Sequence, residues 1–313
     1  MVGDDAAIRK GTAGEQVIIT TDLAIEEVHF SLRSMTLEEI GYRAMITNLS
    51  DCAAMGAVPD GALVDMVFPQ KGADISRDVG EIYRGFSCAC NEWNFPIVGG
   101  DLSGGPVWII GITLLGRALR DERLLLRTGI RDGDTLWCTG IPGQSAAGLD
   151  ALRRWGRSGV PGPYQALVER HIHPRPRIKT GRALASSSKV HAMMDLSDGL
   201  SKDCATLCFE NRLGLVLNFD SSQPPSSMVQ LSRELGIPYL DWMLHGGEEY
   251  ELLFTSSPAY NPARIDADEG VCFVKLGTFT KKKSGFFLRE GDGSLTEVEH
   301  RSWDHVREAR DRK

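Results

Sequence analysis

The chain lacks any apolar run long enough to cross a bilayer, which takes about 20 residues. It also lacks an excess of basic charge. Over 313 residues, 35 Lys and Arg stand against 42 Asp and Glu, a formal net charge of −7. That balance argues against a nucleic-acid surface, which is normally basic. No G-x-x-x-x-G-K-[ST] loop and no protein-kinase signature set occurs, which excludes those two nucleotide scaffolds. Seven cysteines are present, Cys52, Cys88, Cys90, Cys138, Cys204, Cys208 and Cys272. The number is odd and the spacing irregular, so the thiols are expected to be reduced and mostly buried, without disulfides or a zinc cluster. There is no solenoid repeat and no long low-complexity segment. The first residues, MVGDDAAIRKG, carry charge where a signal peptide needs an apolar stretch. A soluble cytoplasmic protein, with no membrane or nucleic-acid partner, is expected.

What is present is an ordinary globular composition, 42% hydrophobic and 25% charged, long enough for about two domains. QVIITTD at 16–22 reads as a buried strand. Residues 36–56 read as a helix, with Thr36 and Glu39 in capping-box spacing and Gly56 and Pro59 as the stop. GALVDMVFP reads as a strand, 74–93 as a helix, FPIVGGD as a strand entering a glycine turn, and VWIIGITLLGRA as a strand pairing back on its predecessor. The polar stretch 118–134 is read as the boundary between units 1–120 and 121–313. Beyond it, strand-like DTLWCTG, helical SAAGLDALRRW and QALVERHI, strand-like KVHAMMDL and helical SKDCATLCFENRL follow, then further strands. Both halves mix strands and helices, so the fold class is α/β (mixed α+β).

The acids are placed unevenly. Asp4 and Asp5 follow a glycine. Asp22, Asp101 and Asp195 end strands, with Asp198 close behind, and Asp51 sits among the small apolar residues of MITNLSDCAAMGAVP. In α/β sheets ligands gather beyond the carboxyl ends of strands. Carboxylates meeting there repel one another unless a cation lies between them, and such hard oxygen ligands suit magnesium with a phosphate-bearing substrate. The glycines of GGD and SDG let a phosphate approach the backbone. A competing reading makes each Asp a turn former or helix cap. Spacing alone stops at a magnesium–nucleotide site.

GDDAA, TTDLAIEEVHF, NLSDCAAMGAVP, VGGDLSGGP, GQSAAGL, DLSDGLSKD and GGEEYELLF occur in this order. With these segments the chain resembles the thiamine-monophosphate kinases over nearly its full length. Their superfamily includes aminoimidazole ribonucleotide synthetase, selenophosphate synthetase and a hydrogenase maturation protein. The resemblance implies an N-terminal α/β domain that dimerises through its strands, giving a homodimer, and a C-terminal α/β domain. It also implies transfer of the ATP γ-phosphoryl group to thiamine monophosphate, assisted by several Mg2+ ions.

By the same resemblance Asp5, Thr20, Thr21, Asp22, Asp51, Asp101, Asp195 and Asp198 match metal positions. Gly100, Asp101, Arg127 and Ser197 match ATP contacts, and His29, Glu248 and Trp303 match thiamine-monophosphate contacts. No general acid or base is implied. Arg127 offers a planar fork for phosphate, and Trp303 an aromatic face for a cationic thiazolium. Structural readings stand beside these: Trp303 as a C-terminal anchor, His29 as a packed histidine, Arg127 as a surface arginine, Glu248 as a turn acid. The chain departs from the family at Glu249, where Asp is usual, and at Glu27, where Gly is usual. Most relatives also carry a segment before GDD. The alternative that follows is a homologue that binds nucleotide and thiamine phosphate without turnover.

Overall fold

The computed structural model describes residues 3–10, 15–70, 74–118, 122–220, 222–299 and 301. Trp303 lies outside them. The first half runs β1 (Ala7–Lys10), β2 (Gln16–Ile25), α1 (Leu37–Ala54), β3 (Val58–Pro69), α2 (Ile75–Trp93), β4 (Ile97–Gly105) and β5 (Ile109–Arg117). Its sheet has the order β1-β2-β5-β3-β4. β3 and β4 are parallel and the other neighbours antiparallel. The second half runs β6 (Thr135–Cys138), α3 (Gln144–Trp155), α4 (Gln165–Ile172), α5 (Ile178–Ala185), β7 (Val190–Leu196), α6 (Leu200–Asn211), β8 (Gly214–Leu217), α7 (Ser226–Leu235), α8 (Tyr239–His245), β9 (Glu251–Ser256), β10 (Val274–Thr280), β11 (Phe286–Arg289) and β12 (Leu295–Glu297). These strands form a second sheet, β12-β11-β8-β10-β6-β9-β7. The mixed α/β class expected from the sequence is the one observed.

Three strand expectations need correction. β5 does not pair with β4; it lies between β2 and β3. The crossover through α2 makes β4 parallel to β3 and leaves it at the sheet edge, where a returning strand would have to sit outside the core. β5, with every second residue from Ile110 to Leu114 buried, takes the central position. GGD is also not a turn: Gly99, Gly100 and Asp101 lie inside β4, and Asp22 likewise lies inside β2 and does not end it.

α1 occupies the middle of the molecule. Thr36 caps it, with the reciprocal Thr36–Glu39 capping box present. Buried residues occur on all its sides, among them Ile40, Leu49, Asn48 and Ser50. A helix buried on every side lies inside the molecule, its polar residues included; α1 covers the inner face of the first sheet and also meets α5, β7 and β9. The approach of α5 depends on Gly181, where an added Cβ would lie 2.1 Å from the Ala53 carbonyl oxygen. The charged stretch between the sheets is equally fixed. Leu125 N–H donates to Met55 O at 3.1 Å, and Leu126 O accepts from Met193 N–H at 3.0 Å. The Arg123 guanidinium donates to the carbonyls of Ala185, Ser187 and Val190. The two sheets are therefore held together where α1 and β7 meet.

Candidate active site

The junction of α1, β2 and β7 forms the wall of a cavity of about 640 Å3. α1 turns Arg43, Thr47 and Asp51 into it, residues at i, i+4 and i+8 on one helical face. Asn48 has turned away; its amide donates to Ala44 O at 3.2 Å. From β2, the Thr20 hydroxyl donates to the Asp51 carboxylate. At the end of β7, Asp195 accepts from Ser50 Oγ at 2.8 Å and from Ser197 Oγ at 3.3 Å. The N-terminal segment brings Asp5, whose Oδ1 accepts from Arg127 Nη2 at 2.7 Å and Nε at 3.2 Å. Arg127 is in turn held through its backbone N–H, which donates to Asp4 at 3.2 Å.

One carboxylate oxygen each from Asp5, Asp51 and Asp195 lies within 4.8 Å of the others. Three acids, distant in sequence, thus share one point. Burial pushes the Asp195 carboxyl up to about 8, and the charge of Asp5 adds to this. Asp51 is raised for the same reason, by burial and then by Asp195 and Asp22. Asp5 is raised by burial, with Arg127 opposing. Asp5 Oδ2 is buried with no hydrogen-bond partner. An unpartnered buried oxygen amid crowded carboxylates, with no thiolate or imidazole among the three, fits a hard divalent cation such as magnesium.

The other sequence-predicted residues fall in three places. Thr21, Asp22, His29, Ser197, Asp198 and Glu248 line the same cavity. Asp22 is raised by surrounding protein and by the Asp198 charge, against a hydrogen bond from Thr47. Asp198 pairs with Lys202 Nζ at 2.6 Å. His29 Nδ1 accepts from Ile25 N–H at 3.1 Å, which places the neutral ring's proton on Nε2. Gly100 and Asp101 are not among the cavity's lining residues. Asp22 pairs with Ile112, Ile112 with Val64, and Val64 with Gly100, so Gly100 lies three strand spacings away, about 14 Å. Asp101 pairs with Asp65, on the exposed side of β3. Gly100 has φ of +147°, and a Cβ there would lie 1.8 Å from Val64 O, so the strand pairing itself requires glycine. Trp303 is outside the described residues.

The opposite wall is a strained loop. Glu248 and Tyr250 have φ of 62° and 52°, a conformation that non-glycine residues hold only where surrounding structure imposes it. The backbone N–H groups of both donate to the end of β7, at Ser197 O (2.7 Å) and Leu196 O (2.9 Å). Burial alone would raise the Glu248 carboxyl, but Arg43, 3.0 Å away, and His171 hold it below its usual range. The Arg43 guanidinium also lies 5.6 Å from the Tyr250 ring centre. Arg43, Thr47, Ser50 and Tyr250 were not singled out from sequence. The four-residue spacing of Arg43, Thr47 and Asp51 was the available signal for the first two.

Both departures from the family pattern have structural counterparts. Glu249 is buried, and its Oε1 accepts from the N–H groups of Gly143 and Ser145, each at 2.9 Å. It caps the start of α3, and its residue is not among those lining the cavity. Glu27 has φ of 60°, the left-handed region where glycine is unstrained.

Residues 3–118 match the family model for AIR synthase related protein, N-terminal domain, and residues 131–288 that for the C-terminal domain. Fold and site together define a two-domain protein of the AIR synthase-related class. Within it, the chain is 32% identical to the thiamine-monophosphate kinase of Rhodopirellula baltica over 285 residues, covering 88% of this chain and 82% of that one. It is also 32% identical to the Bacillus subtilis thiamine-monophosphate kinase over 312 residues, covering 98% and 93%. Among solved structures, AaThiL complexed with AMPPCP and TMP superposes with a TM-score of 0.85 at 29% identity, covering 97% of this chain and 91% of that chain. The thiamine monophosphate kinase of Aquifex aeolicus gives 0.80 at 28%, covering 95% and 94%. The chain belongs to the thiamine-monophosphate kinase family. E. coli HypE, a hydrogenase maturation protein, is 14% identical with a TM-score of 0.73, covering 95% and 92%, and shares the fold.

Proposed function

We propose that this protein phosphorylates thiamine monophosphate with ATP, giving thiamine diphosphate and ADP. The observation that carries the proposal is the meeting of Asp5, Asp51 and Asp195 beside Arg127 and Glu248 in one cavity, in a chain of this family. A phosphate oxygen of thiamine monophosphate forms the new bond to the ATP γ-phosphorus. The bond from that phosphorus to the β,γ-bridging oxygen breaks, and its electron pair leaves with ADP. The acceptor oxygen is already ionised near neutral pH, so no base is assigned. Such transfer rests on positioning and on neutralising phosphate charge.

Asp5, Thr20, Thr21, Asp22, Asp51, Asp101, Asp195 and Asp198 are proposed to hold several Mg2+ ions. Magnesium there would screen the two approaching anions and stabilise charge developing on the transferred group. Arg127 carries a fork suited to phosphate, and its pairing with Asp5 keeps it at the cavity. Gly100, Asp101 and Ser197 complete the proposed ATP contacts. Gly100 and Asp101 lie across the sheet from the acids, and their assignment to ATP and magnesium rests on the family pattern. For thiamine monophosphate, His29 is the proposed contact from the β2 end of the cavity. Glu248, kept charged by Arg43, is an acceptor for the aminopyrimidine, and Trp303 is assigned to the thiazolium.

We further propose that residues 1–120 and 121–313 are the two structural units and that the protein acts in the cytoplasm as a homodimer. The dimer reading is supported by apolar side chains on the outer side of the first sheet, among them Leu23 and Val98, which are 59% and 57% exposed. Incubation with ATP, Mg2+ and thiamine monophosphate should yield ADP and thiamine diphosphate. Absence of product at high enzyme concentration refutes the assignment. Magnesium-dependent binding of both ligands without product would select the non-catalytic homologue instead.

A further inference from the structure

We infer that Ser50 is a positioning residue that holds Asp195 in the acidic cluster. The inference rests on the magnesium-dependent reading above. Ser50 immediately precedes Asp51 on α1 and is fully buried. Its hydroxyl reaches 145 positions along the chain to Asp195 Oδ2, at 2.8 Å. A helical serine ordinarily gives its proton back to a carbonyl one turn earlier. Ser87 on α2 and Thr206 on α6 do so, at 2.8 and 3.1 Å. Ser50 instead bonds across the junction of the two sheets. Successive helical residues point about 100° apart, so this dipeptide works in two directions. Asp51 places its own carboxylate in the cluster, while Ser50 steers the carboxylate carried by β7.

Asp195 depends on that contact. Its residue ends the edge strand β7 of the second sheet, whereas Asp51 sits on a helix over the first sheet. The other hydroxyl on Asp195 comes from Ser197, on the same loop and at the longer distance of 3.3 Å. Ser50 therefore supplies the hydrogen bond that ties this carboxylate to the element carrying Asp51. Groups that orient metal-binding carboxylates in this manner are worth about 10–100-fold in affinity.

The probe is Mn2+, followed by its electron paramagnetic resonance signal on the intact protein, with a melting curve for each variant. Ser50→Ala is expected to weaken Mn2+ binding about 10-fold while the protein stays folded. If Ser50→Ala fails to fold, Ser50→Cys retains the volume with a much poorer donor and should show the same loss. In an Asp195→Asn background Ser50→Ala should add no further loss, because its effect passes through that carboxylate. Unchanged Mn2+ affinity in folded Ser50→Ala or Ser50→Cys overturns the inference, as does an equal further loss in the Asp195→Asn background. The two readings can fail separately. Parent protein that binds Mn2+ tightly but makes no thiamine diphosphate would sink the kinase assignment alone. Active parent with Mn2+ affinity indifferent to Ser50 would sink this inference alone.

Discussion

At the residue scale, the site holds carboxylates in surroundings that disfavour their charge. Asp51 is raised by burial and by its acidic neighbours, a cost to the fold that the proposed magnesium-binding role would explain. Asp51→Asn keeps an oxygen for the Thr20 hydroxyl and removes the repulsion. We expect the melting temperature to rise or hold, while turnover of thiamine monophosphate falls by more than about 100-fold. Near-parent turnover in that variant would reduce Asp51 to a structural role. Glu249 offers a cleaner case, away from the acidic cluster. Burial raises its carboxyl to about 8, against the backbone N–H bonds that pull it down. Because its folded pKa lies above the unfolded value, the folded state binds the extra proton, and the contribution to stability is lost as pH rises from about 5 to 8. Glu249→Gln preserves an oxygen for both N–H groups of α3 and carries no charge. Denaturant unfolding at pH 5.5 and 8 should show the variant gaining on the parent by about 2 kcal/mol at the higher pH. A parallel pH dependence for the two proteins would mean that Glu249 does not titrate there.

At the scale of elements, much was legible. The capping box marked the start of α1, Asp74 caps α2 as the pattern from 74 onward suggested, and QALVERHI is helical over its full length. Local signals sufficed because caps and periodicity act within a turn or two. Three helices were not read, α5, α7 and α8. α7 opens on Ser226 and Ser227, poor helix formers, and Met228 and Leu231 bind it to the core. Its helicity is a tertiary effect. The HPRPR run between α4 and α5 is a loop, its arginines held in ion pairs of Arg175 with Glu92 and Arg177 with Glu251. The placing of α5 on α1 depends on Gly181. Gly181→Ala must move the Ala53 carbonyl or α5 itself, and should destabilise the protein by about 1–3 kcal/mol. Activity should fall with it, since α1 carries Asp51; chemical unfolding and the coupled assay on one preparation report both. An unchanged midpoint would show that the helices separate without cost.

For the whole molecule, the exposed side of the first sheet carries apolar side chains in the open. Leu23, Leu63 and Val98 are 59%, 39% and 57% exposed. Apolar side chains left exposed on a sheet face support the proposal of an association site. Light scattering after size exclusion should find the parent dimeric and Leu63→Asp shifted toward monomer, with its circular dichroism unchanged. A parent that runs as a monomer at micromolar concentration removes the dimer proposal.

The sequence by itself determined the family, the mixed α/β class and most element starts. These follow from ordered motifs, caps and periodicities, which are local or linear properties of the chain. Only the tertiary structure decided which acids meet. Asp5, Asp51 and Asp195 come together because α1 is buried between two sheets, while strand register sends Asp101 to the exposed side of β3 and β4. It also gave Arg43 and Ser50 their partners. Hydrogen bonds across 145 residues depend on how elements pack, and linear spacing carries no record of that.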